Sequence, residues 1–341
     1  MRHLNEFLDN RILNGLVSEG KVTAGSIIDT LGNIDKNAKL GKYVETLNTM
    51  LKDDDAKLIL TKLFGSKNIQ KEHKVEFDGE MVEIKASELH PTQSEIDVNK
   101  SIIYPFLNPD NAKAVKAYKE NKTANFPFPL ITFDGKWVVD GHHRWSGVYT
   151  FNPDCPINCY NLKVQSNEPG AEITQETVLK IVQACLAAKR AEDGKGQIPQ
   201  EKVEGVNVFK LTPKKIAEIV KSFCTGEVFD ELSEKEKSKA GSPENMQKAA
   251  KAVAKNLGFE GDDENDYQET IAYITDNLKR LQKENKKYAQ TGNPRGDMPQ
   301  TDKGGNDPDN DKTATPDTEG SALNKLVDNG VDIKAVPHNE K

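Results

Sequence analysis

Within five residues, Asp140-Gly141-His142-His143-Arg144 bring together a carboxylate, two imidazoles and a guanidinium, directly after the apolar run Trp137-Val138-Val139. A buried strand ending at Asp140, a glycine that permits a tight reversal and a helix starting at His142 would gather several unpaired backbone N–H groups at one point. Such a point attracts anions, because the donors and the helix dipole both favour negative charge. Arg144 adds a permanently charged planar fork suited to bidentate phosphate contact. His142 and His143 can donate, accept or carry a proton near neutral pH, and Asp140 can orient a histidine or hold Mg²⁺ through water. The plainer alternative is a helix capped by Asp140, with both histidines on its surface.

A second polar segment, Leu89-His90-Pro91-Thr92-Gln93-Ser94-Glu95-Ile96, reads as a loop running into a helix. Pro91 stiffens the approach, and Thr92 or Ser94 can cap. Gln93 and Glu95 supply its polar reach into a cleft. Glu95 is the favoured general base; the alternative is a solvated glutamate at a helix start, a common position for acids.

Hydropathic period indicates which elements hold these segments. Val75 and Phe77 alternate, Asp78-Gly79 predicts a hairpin turn, and Met81, Val82 and Ile84 follow. A second hairpin runs from Leu130, Ile131 and Phe133 through Asp134-Gly135 into Trp137, Val138 and Val139. Between them, helices are expected over 94–103 and 109–122, the second with Asp110 as cap. A helix from His142 to Phe151 buries Trp145, Val148 and Tyr149, and a strand follows over Pro156 to Val164. The order β-β-α-α-β-β-α-β predicts an α+β fold, a small mixed sheet covered by helices.

The Pro-x-Gln loop (Pro91, Gln93) followed by a Gly-x-x-Arg turn (Gly141, Arg144) resembles the ParB/sulfiredoxin superfamily. The longer pair, Leu89 to Ile96 and Val138 to Trp145, is similar to the ParB-like branch encoded by bacteriophages and mobile elements. Arg295-Gly296-Asp297-Met298-Pro299-Gln300 is similar to a segment of those phage proteins. The resemblance covers residues 67–168 well, the following helices weakly and the first 65 not at all. It implies a nucleotide bound at the turn, with Gly141, Arg144, Pro91, Thr92 and Gln93 around its phosphates. Asp140, His142, His143 and Glu95 are then the catalytic candidates, with a nucleoside triphosphate and Mg²⁺ as cofactors.

Members of the superfamily include CTP-dependent DNA clamps, an ATP-using sulfinic acid reductase, a small-molecule kinase and proteins with nuclease activity. Sulfiredoxins place their catalytic cysteine in Gly-Cys-His-Arg, where this chain has His142, which sets the reductase chemistry aside. Partition-type proteins carry Gly-Glu-Arg-Arg and a basic helix-turn-helix, whereas this chain has two histidines there and is acidic.

The chain has 341 residues, 35% hydrophobic and 30% charged, with a formal net charge of −7. Residues 67–168 hold eleven lysines and one arginine against fourteen acidic residues, a net of −2, so a DNA contact would have to be local or metal-assisted. The expected organisation is a helical extension over 1–66, the ParB/sulfiredoxin-like domain over 67–168, a helical region over 169–290 and an acidic, disordered tail over 291–341. In the third part, helices at 174–189 and 213–223 are expected to pack on the sheet, and those at 243–257 and 265–289 to be looser. Cys155, Cys159, Cys185 and Cys224 form no C-x-x-C pair and read as buried thiols. Neither an apolar run of membrane-spanning length nor a secretory leader is visible, which predicts a soluble, cytoplasmic protein, and the phage-type resemblance adds virion association as the alternative.

Three readings remain. The first is a nuclease or NTPase performing phosphoryl chemistry on nucleic acid, with DNA met at a local site. The second is a virion-associated or partner-binding protein that keeps the fold and docks through its N-terminal helices and the Arg295–Gln300 segment. The third is a small-molecule kinase.

Overall fold

The computed structural model describes residues 44–45, 48–49, 75–126, 129–166, 178, 205–259 and 266–292. All but the first two belong to one unit, Thr46–Lys341. The helical periods over 4–17 and most of 22–64, the helix expected at 174–189 apart from residue 178, and everything beyond 292 lie outside the described residues.

Five strands, β1 (Val75–Lys85), β2 (His90–Pro91), β3 (Leu130–Phe133), β4 (Trp137–Asp140) and β5 (Pro156–Ser166), form one sheet in the order β1-β5-β3-β4-β2. It is mixed: β1 is antiparallel to β5 and β3 to β4, while β3 runs parallel to β5 and β2 to β4. Seven described helices accompany it: α1 (Val98–Phe106), α2 (Pro109–Lys119), α3 (His142–Phe151), α4 (Pro213–Thr225), α5 (Glu234–Ala240), α6 (Pro243–Leu257) and α7 (Asp266–Gln290). The architecture is the α+β fold expected from the element order.

The first hairpin is absent. Asp78 and Gly79 lie inside the eleven-residue strand β1, paired across Lys163 and Leu162. A Cβ on Gly79 would fall 2.3 Å from the Tyr160 ring, so this glycine serves a close side-chain approach rather than a turn. The second position of the β-β pair is taken by the two-residue β2, which joins the opposite edge of the sheet. The second hairpin is as expected: Asp134 (φ 56°) and Gly135 (φ 60°) are both left-handed, the backbone of a type I′ turn.

Side-chain caps set the helix starts. Asn108 accepts from the Asn111 amide with Pro109 at the first helical position, so the cap of α2 lies two residues before the expected Asp110. Asp97 caps α1 by accepting from the Asn99 amide at 3.0 Å, which starts that helix at Val98 rather than at Ser94. Thr212 and Ser242 cap α4 and α6, each followed by proline, and both helices stop at a left-handed glycine, Gly226 and Gly258.

One hydrophobic core runs from the sheet through α1–α3 into α4, α6 and α7. Trp145, Tyr149 and Phe151 of α3 and Phe223 of α4 lie fully inside it. Burial of such side chains contributes about 2–3 kcal/mol each. The loose packing expected of the last two helices is not found. Met246, Val253, Ile274, Leu278 and Leu281 are completely buried, and α7 packs against α3, α4 and β2. Cys155, Cys159 and Cys224 are buried, and burial pushes the thiols of Cys155 and Cys159 up to about 11 and about 12. No described helix is long and apolar enough to cross a membrane.

Candidate functional site

Strand directions gather the polar segments at one place. Because β4 runs parallel to β2 and antiparallel to β3, the ends of β2 at Pro91 and of β4 at Asp140 meet the start of β3 at Leu130. Gly141 then reverses the chain with φ 93°, a conformation that strains any residue with a side chain, and α3 begins at His142. The glycine provides no side-chain cap, and Trp145 N–H makes the first helical bond to its carbonyl at 2.9 Å.

Arg144 folds back over this turn. A Cβ on Gly141 would come within 3.0 Å of Arg144 Nη2 and of Leu130 Cγ, so a side chain here would press on the guanidinium as well as strain the backbone. The guanidinium donates to Asp140 Oδ2 at 3.1 Å and to the Pro129 carbonyl at 3.5 Å, and lies 5.8 Å from the Phe126 ring centre. Both charged side chains of the pair remain reachable from solvent, Arg144 at 26% and Asp140 at 23% of full exposure.

His142 has a different place. It is buried, and its Nε2 accepts the Thr92 backbone N–H at 3.2 Å. Thr92 is buried too, and its hydroxyl donates to the Val138 carbonyl at 2.5 Å. Burial, reinforced by the Arg144 charge and opposed by the Val138 carbonyl, lowers the His142 imidazole to about 3. The ring is therefore neutral across the physiological range and has one nitrogen already engaged, so the proton-moving role expected of His142 is corrected to a positioning one. It ties the Pro91–Gln93 loop to the turn.

Gln93 is likewise turned inward. It is buried and donates through Nε2 to the Glu95 carbonyl, bracing its own loop instead of reaching into a cleft. The side chain of Glu95 is half-buried and makes no hydrogen bond or ion pair among the described residues. His143 is half-buried on the first turn of α3. No group of three or more His, Cys, Asp or Glu residues comes together among the described residues. Asp140 is already paired with Arg144, so these side chains form no metal cage of their own.

Several neighbours of the site were not identified from the sequence. The end of α7 lies across the loop: a Cβ on Gly292 would fall 2.8–2.9 Å from the backbone of Thr92, Gln93 and Ser94. His90 stacks on Tyr288 with ring centres 4.2 Å apart, and its Nδ1 lies 2.8 Å from Asn285 Oδ1. Asn285 Nδ2 donates to the Leu281 carbonyl, which leaves its oxygen to accept from His90. Tyr149 of α3 donates to Glu284 of α7, which also accepts from Arg280 at 2.8 Å. Burial works against charge on Glu284, but these two bonds hold its carboxyl below the usual range. The asparagine, tyrosine and lysines near the end of α7 are spaced like any polar helix face, so spacing alone did not single them out.

Comparison with protein-family models, with curated protein sequences and with solved structures finds no match to this chain.

Proposed function

We propose that this chain binds the phosphates of a nucleotide at the Gly141–Arg144 turn and performs phosphoryl chemistry on nucleic acid, as a ParB-like nuclease or NTPase. The observation that carries the reading is the guanidinium of Arg144 lying over an uncapped glycine turn at a helix start, a quarter exposed and paired with Asp140. Helix dipole and guanidinium favour an anion at the same point, and a phosphate oxygen can take the place of the Asp140 carboxylate on Arg144. Proton transfer falls to His143 or Glu95, since His142 is buried, neutral and engaged. Mg²⁺ arrives in this scheme on the nucleotide phosphates, as it commonly does, because the described side chains offer it no cage.

The test is a thermal-shift screen of the full chain against ATP, ADP, CTP and GTP, each with and without Mg²⁺, beside Arg144→Ala. At 100 times its dissociation constant a ligand adds about 2.7 kcal/mol of stability. A nucleotide-specific shift that disappears in Arg144→Ala is expected. A shift of equal size in the variant would place the nucleotide elsewhere, and no shift with any of the four would remove the nucleotide from the account.

A further inference from the structure

The β2 edge of the sheet carries a cluster that the phosphate turn does not use. Lys136 and Trp137 at the start of β4, His90 of β2 and Tyr288 of α7 lie together there. The Trp137 ring meets Tyr288 edge-on at 5.2 Å and His90 at 5.8 Å, the Lys136 ammonium lies 5.2 Å over the Trp137 ring, and Lys287 lies 4.6 Å over Tyr288. All three rings are half-buried, so each keeps some surface open to solvent.

The last turns of α7, which carry Tyr288, are strongly basic. Residues 279–290 of α7 hold five basic residues (Lys279, Arg280, Lys283, Lys286, Lys287) against Glu284 alone, in a chain whose net charge is −7. Lys279 and Arg280 are paired with Asp276 and Glu284. Lys136, Lys283, Lys286 and Lys287 are exposed and make no ion pair among the described residues. A solvated helix face usually intersperses both signs; a run of exposed lysines along the last turns of α7, with two ammonium groups set over half-buried aromatic rings, matches instead a ligand that alternates phosphates with flat, stackable groups.

We propose that this edge binds single-stranded nucleic acid, with the lysines on its phosphates and a base on the Trp137 ring in place of the Lys136 ammonium. A duplex keeps its base faces stacked internally and cannot use the rings, whereas every unpaired base offers a face. Trp137 and Asp140 are three residues apart on one strand, on the order of 10 Å, so a strand held at the patch has the glycine turn within reach. That continuation rests on the phosphate-binding reading of the turn; the patch itself does not.

The experiment is fluorescence anisotropy of labelled single-stranded DNA, single-stranded RNA and duplex DNA with the full chain over a range of salt concentrations. Tryptophan emission is recorded alongside. Single strands bind and the duplex binds at least about tenfold more weakly; four contacted phosphates give a slope of log affinity on log salt of about −3, at about −0.7 each. Trp137 emission is quenched, while the fully buried Trp145 contributes a constant background. The combined variant Lys283→Glu, Lys286→Glu, Lys287→Glu alters only exposed side chains, keeps its unfolding midpoint and loses at least about tenfold in affinity with a flatter salt slope. No binding at low salt, a duplex bound as tightly as a single strand, or full affinity in the triple variant would each overturn the proposal. A preference between the DNA and RNA strands identifies the sugar recognised. The triple variant keeps the nucleotide-dependent thermal shift of the wild-type chain, since its three lysines lie outside the Gly141–Arg144 turn. Oligonucleotide binding without any nucleotide shift would therefore sink the phosphate turn and leave this surface standing.

Discussion

The two polar segments that meet at the end of the sheet have similar compositions and opposite fates. Thr92, Gln93 and His142 are buried, each bonded to backbone, and the imidazole is held neutral. Asp140 and Arg144, one turn of chain away, keep about a quarter of their surface and are paired with each other. The first group forms the frame and the second stays at the surface, where the proposed phosphate contact is made, and burial distinguishes them where residue type does not.

That division can be broken most severely at His142. His142→Ala leaves a cavity and an orphaned Thr92 N–H, and should cost about 2–4 kcal/mol in urea unfolding. A loss below about 1 kcal/mol would mean the ring is not a tie between loop and turn.

Acid tests the same ring without mutation. The folded pKa of about 3 lies below the unfolded value near 6.5, so the unfolded chain binds the proton first. The contribution of the neutral ring is complete above about pH 6.5 and is lost as pH falls towards 3, at up to about 1.4 kcal/mol per pH unit. By pH 5 about 2 kcal/mol should be gone, and His142→Ala should lack this part of the slope. His90, lowered chiefly by burial, adds in the same direction. Equal slopes in wild type and variant would return His142 to the exposed group.

Thr92→Val keeps the shape of the frame but removes the donor to the Val138 carbonyl. A loss of about 1–2 kcal/mol at unchanged nucleotide affinity is expected, measured by unfolding and thermal shift together. Reduced nucleotide affinity at unchanged stability would move Thr92 from frame to reactive surface.

Much of this architecture could be read from residue patterns. The β3–β4 hairpin follows from Asp-Gly, and α3 and the helices ending near 225, 257 and 290 from apolar residues at helical spacing, all of them local signals. Asp78-Gly79 failed because the same dipeptide also fits a strand where a neighbouring ring needs room, and only the β5 partner reveals that. The parallel pairing of His90 and Pro91 with β4, and the return of α7 across their loop, depend on contacts far apart in sequence. The two segments were correctly paired as neighbours. Which of their side chains turn inward was not legible, because Thr92, Gln93 and His142 look as hydrophilic as Asp140 and Arg144 until the packing is known.

The central claim, that the glycine turn takes the phosphate, is tested most directly by NMR on protein labelled with ¹⁵N only at its six histidines. Titration with ATP and Mg²⁺ should move the backbone amides of His142 and His143 to saturation and leave those of His3, His73 and His338 in place. Arg144→Ala should abolish the movement. Saturable nucleotide binding that leaves the His142 and His143 amides where they were would contradict the account.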